Sequence, residues 1–163
     1  MDDPEPKGSF AMSNETTVRE LFDRWERVWH RGEFDLVPSC VAPQYIRHDE
    51  MGNRTVTREA YTAELAELKK NRPDVRIIVY DHTFGSDHAW YRFTMKWTDP
   101  KSGEVRTRAG MQSYRIEDGK LAETWVVFQP LGSAWDDAIA QESWTSLRAS
   151  VAGARSSSRP TPT

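Results

Sequence analysis

The sequence predicts an α+β fold in which helices pack on one face of a curved, mixed or antiparallel sheet that encloses a cavity. Two observations point there. Helical periodicities fill the first half of the chain, while long runs rich in Val, Ile, Tyr, Trp, Phe and Thr fill the second. From Asp87 to Gln129, moreover, three such runs are separated only by Asp99-Pro100-Lys101-Ser102-Gly103 and Glu117-Asp118-Gly119-Lys120, which have the composition of hairpin turns.

Taken in order, residues 1–12 contain proline, glycine and acidic residues without periodicity and read as a disordered leader or an expression remnant. Ser13 or Asn14 can cap a first helix in which Val18, Leu21, Phe22, Trp25, Val28 and Trp29 recur every three or four residues, ending near Arg31-Gly32. A short second helix is expected from Glu33 to Val41, stopped by Pro43. Gln44 to Asp49 reads as a short extended run and Glu50 to Arg54 as a loop. Thr57 is placed to cap a third helix reaching Lys70, with Tyr61, Leu65 and Leu68 on one face. Val75 to Phe84 is a strand joined to the meander by Gly85-Ser86-Asp87. Beyond the domain at 13–131, an extension at 132–150 is expected to be helical from Ser133 to Ser150, and 151–163 a disordered tail.

Side chains on a strand alternate faces, so Ala89, Tyr91, Phe93, Met95 and Trp97 form one apolar side of the first meander strand. On the second strand Arg108, Gln112 and Tyr114 share a parity. On the third, Leu121, Glu123, Trp125, Val127 and Gln129 share another, so a carboxylate and an amide can face a pocket.

Composition excludes several classes. A net charge of −3 with dispersed Lys and Arg argues against nucleic acid and anionic membranes as partners. No run approaches the roughly 20 apolar residues of a membrane helix. Cys40 is the single cysteine, which rules out an intrachain disulfide and a multi-cysteine zinc site and suits a reducing, cytoplasmic setting. His82 and His88 make no ligand spacing with a third group, so no metal is expected; neither a phosphate-binding glycine loop nor a nucleophile elbow is present.

Several stretches together resemble the SnoaL-like branch of the nuclear transport factor 2-like superfamily. They are the aromatic first helix ending in Arg31-Gly32-Glu33, the run Ala42 to Asp49 ahead of a loop glycine, Thr57-Arg58-Glu59-Ala60-Tyr61, Asp87 to Phe93, and Asp118 to Trp125. The resemblance runs from Val18 to Gln129 and implies a cone-shaped barrel that in different members serves polyketide cyclases, isomerases, hydrolases and dehydratases. It also implies that His48 points to the mouth of the cone and that an Asp follows Trp125 by four residues. This chain has Gln129 there, and an amide orients a substrate but exchanges no proton at neutral pH. Dimerisation through the convex sheet face is implied as well.

The candidate catalytic residues are therefore His48 and Asp49, an adjacent acid/base pair of which only one can face inward; Glu123; and Tyr114, whose phenol can hold a carbonyl or enolate oxygen. Arg108, Gln112 and Gln129 are candidate polar contacts for substrate. Trp25, Trp29, Tyr45, Tyr91, Trp97 and Trp125 are candidate walls, in a chain with seven Trp. The expected function is that of a cofactor-independent cyclase or isomerase folding an apolar, polyketide-like molecule, with aldol-type or cycloaddition-type ring closure and a homodimeric assembly. The alternatives are a non-catalytic binding or interaction module of the same fold and, third, a hydrolase or dehydratase.

Overall fold

The structure, a computed structural model, describes residues 15–136 and 138–147. The two ends expected to be disordered lie outside these residues. Helix α1 spans Glu15–Arg31, a 3-10 turn Phe34–Leu36 leads into the single-turn helix α2, Val37–Cys40, and α3 spans Arg58–Asn71. The strands are β1 Val41–Asp49, β2 Gly52–Thr57, β3 Arg76–Phe84, β4 His88–Thr98, β5 Val105–Glu117 and β6 Lys120–Phe128. They form one sheet in the order β2-β1-β6-β5-β4-β3. The β1–β6 pairing is parallel and the others antiparallel, so the sheet is mixed and open.

Local chemistry explains most boundaries. The Thr57 hydroxyl accepts the Ala60 N–H at 3.1 Å, capping α3 as its position predicts. Asp118 and Gly119 both have positive φ, 53° and 71°, the requirement of the two-residue turn that joins β5 to β6. The stretch read as a loop after Asp49 is instead a hairpin. Asn53, Arg54 and Thr55 pair with His48, Arg47 and Ile46, so the backbone finds ladder partners that composition alone did not announce.

The buried stripe of α1, Val18, Leu21, Phe22, Trp25 and Val28, lies on the concave side of the sheet. Burial of each such side chain is worth about 1.5–3 kcal/mol. The inward-facing residues of the sheet include Tyr91, Phe93 and Met95 on β4, Gln112 and Tyr114 on β5, and Val126 and Phe128 on β6.

The extension after Pro130 corrects the helix expected there. Its described residues form turns and irregular chain. Strand β3 is one edge of the sheet, and its unpaired groups draw this extension into hydrogen bonds that a helix could not make. Gln141 donates its N–H to the Val79 carbonyl at 2.7 Å, and the Trp144 indole donates to the Ile77 carbonyl at 2.9 Å. Near the irregularity between Val79 and Asp81, the Trp135 indole donates to the Phe93 carbonyl at 2.9 Å. The extension thus blunts an otherwise open edge.

Candidate functional site: a one-sided polar cavity

A cavity of about 200 Å³ opens between the sheet, α1, α3 and the extension that carries Trp144. Its apolar lining comes from Trp29, Ile77, Phe93, Met95, Val126 and Phe128, while Arg47, Asp49, Gln112 and Tyr114 supply polar groups. The registers explain why these polar residues meet. Arg47 pairs with Thr124 across the parallel ladder, and Thr124 pairs with Tyr114 across the next, so all three fall on the concave face.

Arg47 is the central charge. It is only 9% exposed. Its Nη1 donates to the Tyr61 hydroxyl at 3.0 Å and its Nε to Asp49 Oδ2 at 3.3 Å, with the guanidinium over the Tyr61 and Tyr45 rings. Nη2 makes no hydrogen bond to any described residue. Burial opposes the charge, but the phenols of Tyr61, Tyr45 and Tyr114 and the Asp49 carboxylate outweigh it, and the Arg47 pKa is raised. The group is a permanent cation.

Asp49 is also inside. Burial pushes its carboxyl upward, yet the Met51 N–H, at 2.9 Å from Oδ1, and the guanidiniums of Arg47 and Arg54 leave it below the usual carboxylate range. It is ionised at neutral pH and donates no proton. Gln112 Nε2 donates to the Thr124 hydroxyl at 2.8 Å. Burial pushes the Tyr114 phenol well up, so Tyr114 stays a neutral hydrogen-bond donor. At the rim, Arg108 Nη1 meets Glu50 Oε2 at 2.9 Å while its Nε donates to the Gln129 carbonyl.

The remaining predicted residues lie elsewhere. His48 and Glu123 sit on the convex face, where His48 Nε2 meets Glu123 Oε2 at 2.7 Å and Nδ1 meets Asn53 Oδ1 at 2.6 Å. Trp125 stacks on the imidazole there, with centroids 5.1 Å apart, and is 42% exposed. These three placements depart from the expectation of an inward His48, Glu123 and Trp125, and a bulge is the reason for β6. The ladder pairs Ile116 with Leu121 but Arg115 with Glu123, so Ala122 is an extra residue that flips parity; Leu121 is buried and Glu123 faces out. On β1, Arg47 and Asp49 take the inside and leave His48 outside.

Trp25 and Tyr45 are packed into the core against Tyr61 rather than lining the cavity. Among the described residues the Tyr45 hydroxyl meets no partner at ordinary hydrogen-bond geometry. Trp97 lies under the Arg72 guanidinium at 3.9 Å, outside the lining, and Gln129 is exposed, engaged through its backbone. Tyr91 lines only a smaller cleft of about 20 Å³ behind the cavity. The sequence therefore brings Trp29, Asp49, Gln112 and Tyr114 together, with Arg108 at the rim, and its reading missed Arg47. The signal was available: Arg47 shares parity with Tyr45 and Asp49, and an arginine in register with a buried aromatic on a half-buried strand is out of place unless paired. Among the described residues no cluster of three or more metal-ligating groups occurs, and no helix is long and apolar enough to cross a membrane.

Residues 18–124 match the family model described as the SnoaL-like domain. No curated protein matches the chain in sequence. Among solved structures, a SnoaL-like polyketide cyclase from Agrobacterium tumefaciens is 15% identical, with 69% of this chain and 91% of that one covered and a TM-score of 0.61. TsrD from Streptomyces laurentii is 20% identical, covering 71% and 90%, with a TM-score of 0.61. An NTF2-like protein from Anabaena variabilis is 10% identical, covering 80% and 95%, with a TM-score of 0.60. At these identities the likeness is one of fold.

Proposed function

This chain belongs to the SnoaL-like family, and on that premise we propose that it is a cyclase or isomerase for a compact, apolar, polyketide-like carbonyl compound, working with its own side chains. The observation that carries the reading is Arg47: a buried guanidinium on the cavity wall with Nη2 uncommitted to any described residue. A substrate oxygen held there meets a fixed positive charge, with the Tyr114 phenol as second donor. Negative charge developing on that oxygen during enolisation or ring closure is stabilised without any reorganisation of water. The apolar side of the cavity, Trp29, Phe93 and Phe128 among others, folds the remainder of the substrate against this anchor, which contributes by proximity.

Asp49 orients Arg47 and keeps the site close to neutral. Its carboxylate already has three partners, which makes proton transfer a lesser part of the mechanism than positioning. That weighting suits a ring closure needing little acid/base help, such as a cycloaddition. The chain is further proposed to act as a homodimer in the cytoplasm, the buried thiol of Cys40 suiting a reducing compartment.

The test is turnover of a linear polyene ketone or poly-β-ketone, followed by mass and retention time of the ring-closed product. The wild type is expected to form product, Arg47→Gln to lose at least about tenfold in kcat, and His48→Gln and Glu123→Gln, on the opposite face, to leave the rate unchanged. Binding of these ketones without any turnover would replace the enzyme by a binding module of the same fold.

A further inference from the structure

The cavity is small for its fold position. About 200 Å³ falls below the roughly 300–1,000 Å³ of ordinary ligand pockets. Behind it lies the separate cleft of about 20 Å³, and the two share Ile77, Phe93, Gln112, Tyr114 and Trp144 as lining. Of these five, Trp144 alone comes from outside the sheet. It also lies beyond the matched domain, which ends at residue 124.

We infer that Trp144, delivered by the segment 138–147, is the residue that sets how large a substrate the cavity accepts. The inference rests on the reading of this cavity as the substrate site.

Trp144 is 5% exposed and held through its indole N–H and both backbone polar groups. Its Nε1 donates to the Ile77 carbonyl at 2.9 Å, its backbone N–H donates to Glu26 Oε1 at 3.0 Å, and its carbonyl accepts the Tyr91 hydroxyl at 3.1 Å. The neighbouring Thr145 hydroxyl is tied to Asp23 and the Thr145 carbonyl to Arg19. Rings flank it as well, His30 at 5.3 Å and Tyr91 at 6.2 Å between centroids. With its N–H bonded, its backbone tied at both polar groups and two rings set against it, the indole is held in one place and acts as a fixed end wall. The segment contributes this wall without altering the sheet, so the size limit is set apart from Arg47 and Tyr114. Removal of the indole leaves a void continuous with the cavity, walled chiefly by Ile77, Phe93 and Tyr91 with the Ile77 carbonyl freed at one end, and large enough to accept a further aromatic ring.

The test uses the full chain and three aryl methyl ketones of increasing size, acetophenone, acetylnaphthalene and acetylanthracene, with dissociation constants from equilibrium dialysis. The wild type is expected to bind the first two and to bind acetylanthracene about tenfold or more weaker. Trp144→Ala is expected to recover that factor for acetylanthracene without tightening acetophenone. Trp144→Phe, which keeps an aromatic wall and protects the fold, is expected to fall between. An unchanged size preference in the folded variants would overturn the inference while leaving the proposed site intact. Failure of the wild type and both variants to bind any of the three ketones would overturn the site itself, and this inference with it.

Discussion

Arg47 Nη1 and the Tyr61 hydroxyl meet at 3.0 Å in the interior, joining β1, which pairs in parallel with β6, to helix α3. The phenol is thus the floor under the cavity's charge. Tyr61→Phe removes one acceptor from a buried cation and is expected to cost about 1.5–3 kcal/mol of stability, the range for hydrogen bonds to charged groups. Urea denaturation with an unchanged m-value would measure it, and a loss below experimental error would mean that the guanidinium finds water instead.

The convex pair of His48 and Glu123 carries a pH signature. Hydrogen bonds to Glu123 and Asn53 raise the His48 pKa, and the bond to His48, with Arg115 nearby, lowers that of Glu123. A raised histidine stabilises the fold fully below its unfolded value of about 6.5 and loses this as pH rises through the folded value; a lowered glutamate stabilises above about 4.3 and loses this as pH falls through its folded value. The pair therefore contributes most between these limits. Thermal melts across that range and upward to alkaline pH should show the advantage of wild type over His48→Gln shrinking as pH rises. A constant difference would dismiss the pair as a titrating contact.

Gly110 stands where two cavity rings come together. A Cβ built there would lie 2.8 Å from Phe93 Cζ and 3.2 Å from Phe128 Cδ1, and those rings pack edge to face at 5.7 Å. Gly110→Ala is expected to cost about 1–3 kcal/mol by overpacking and to push the Phe93 ring toward the cavity. Denaturant midpoints and weakened acetylnaphthalene binding report the two effects separately.

The proposed homodimer has a specific surface. Met111, Trp125 and Val127 form an exposed apolar stripe on the convex face, with Val127 71% exposed. A two-fold contact places this stripe against itself. Val127→Glu would then set like charges close together across the axis, and sedimentation velocity should show a monomer at concentrations where the wild type is dimeric. A wild-type monomer at high micromolar concentration would end the proposal.

The sheet was legible because its signals are local. Alternation on β4, the Asp118-Gly119 turn and the Thr57 cap each depend on a few neighbouring residues, and each is found where the sequence places it. The site was legible only in part because facing depends on register. One extra residue at Ala122 reverses which side Glu123 and Trp125 occupy, and nothing in the alternation from Leu121 to Gln129 marks the bulge. The tail misled for a different reason. Trp135, Ile139, Trp144 and Leu147 suggest a helical pattern, but the indole N–H groups of Trp135 and Trp144 are worth more on the carbonyls of Phe93 and Ile77 than that pattern is worth to a helix.

The ties from Trp144 to Glu26 and from Thr145 to Asp23 span 118 and 122 residues of sequence. Contacts that distant form late, after the loop between them has been closed. During synthesis the sheet and helices α1, α2 and α3 can assemble before this segment leaves the ribosome, yet the cavity then lacks its end wall and β3 its cover. A chain whose sheet has formed before this strap closes has an unbounded cavity and an adhesive edge, and closing the strap ends both conditions at once.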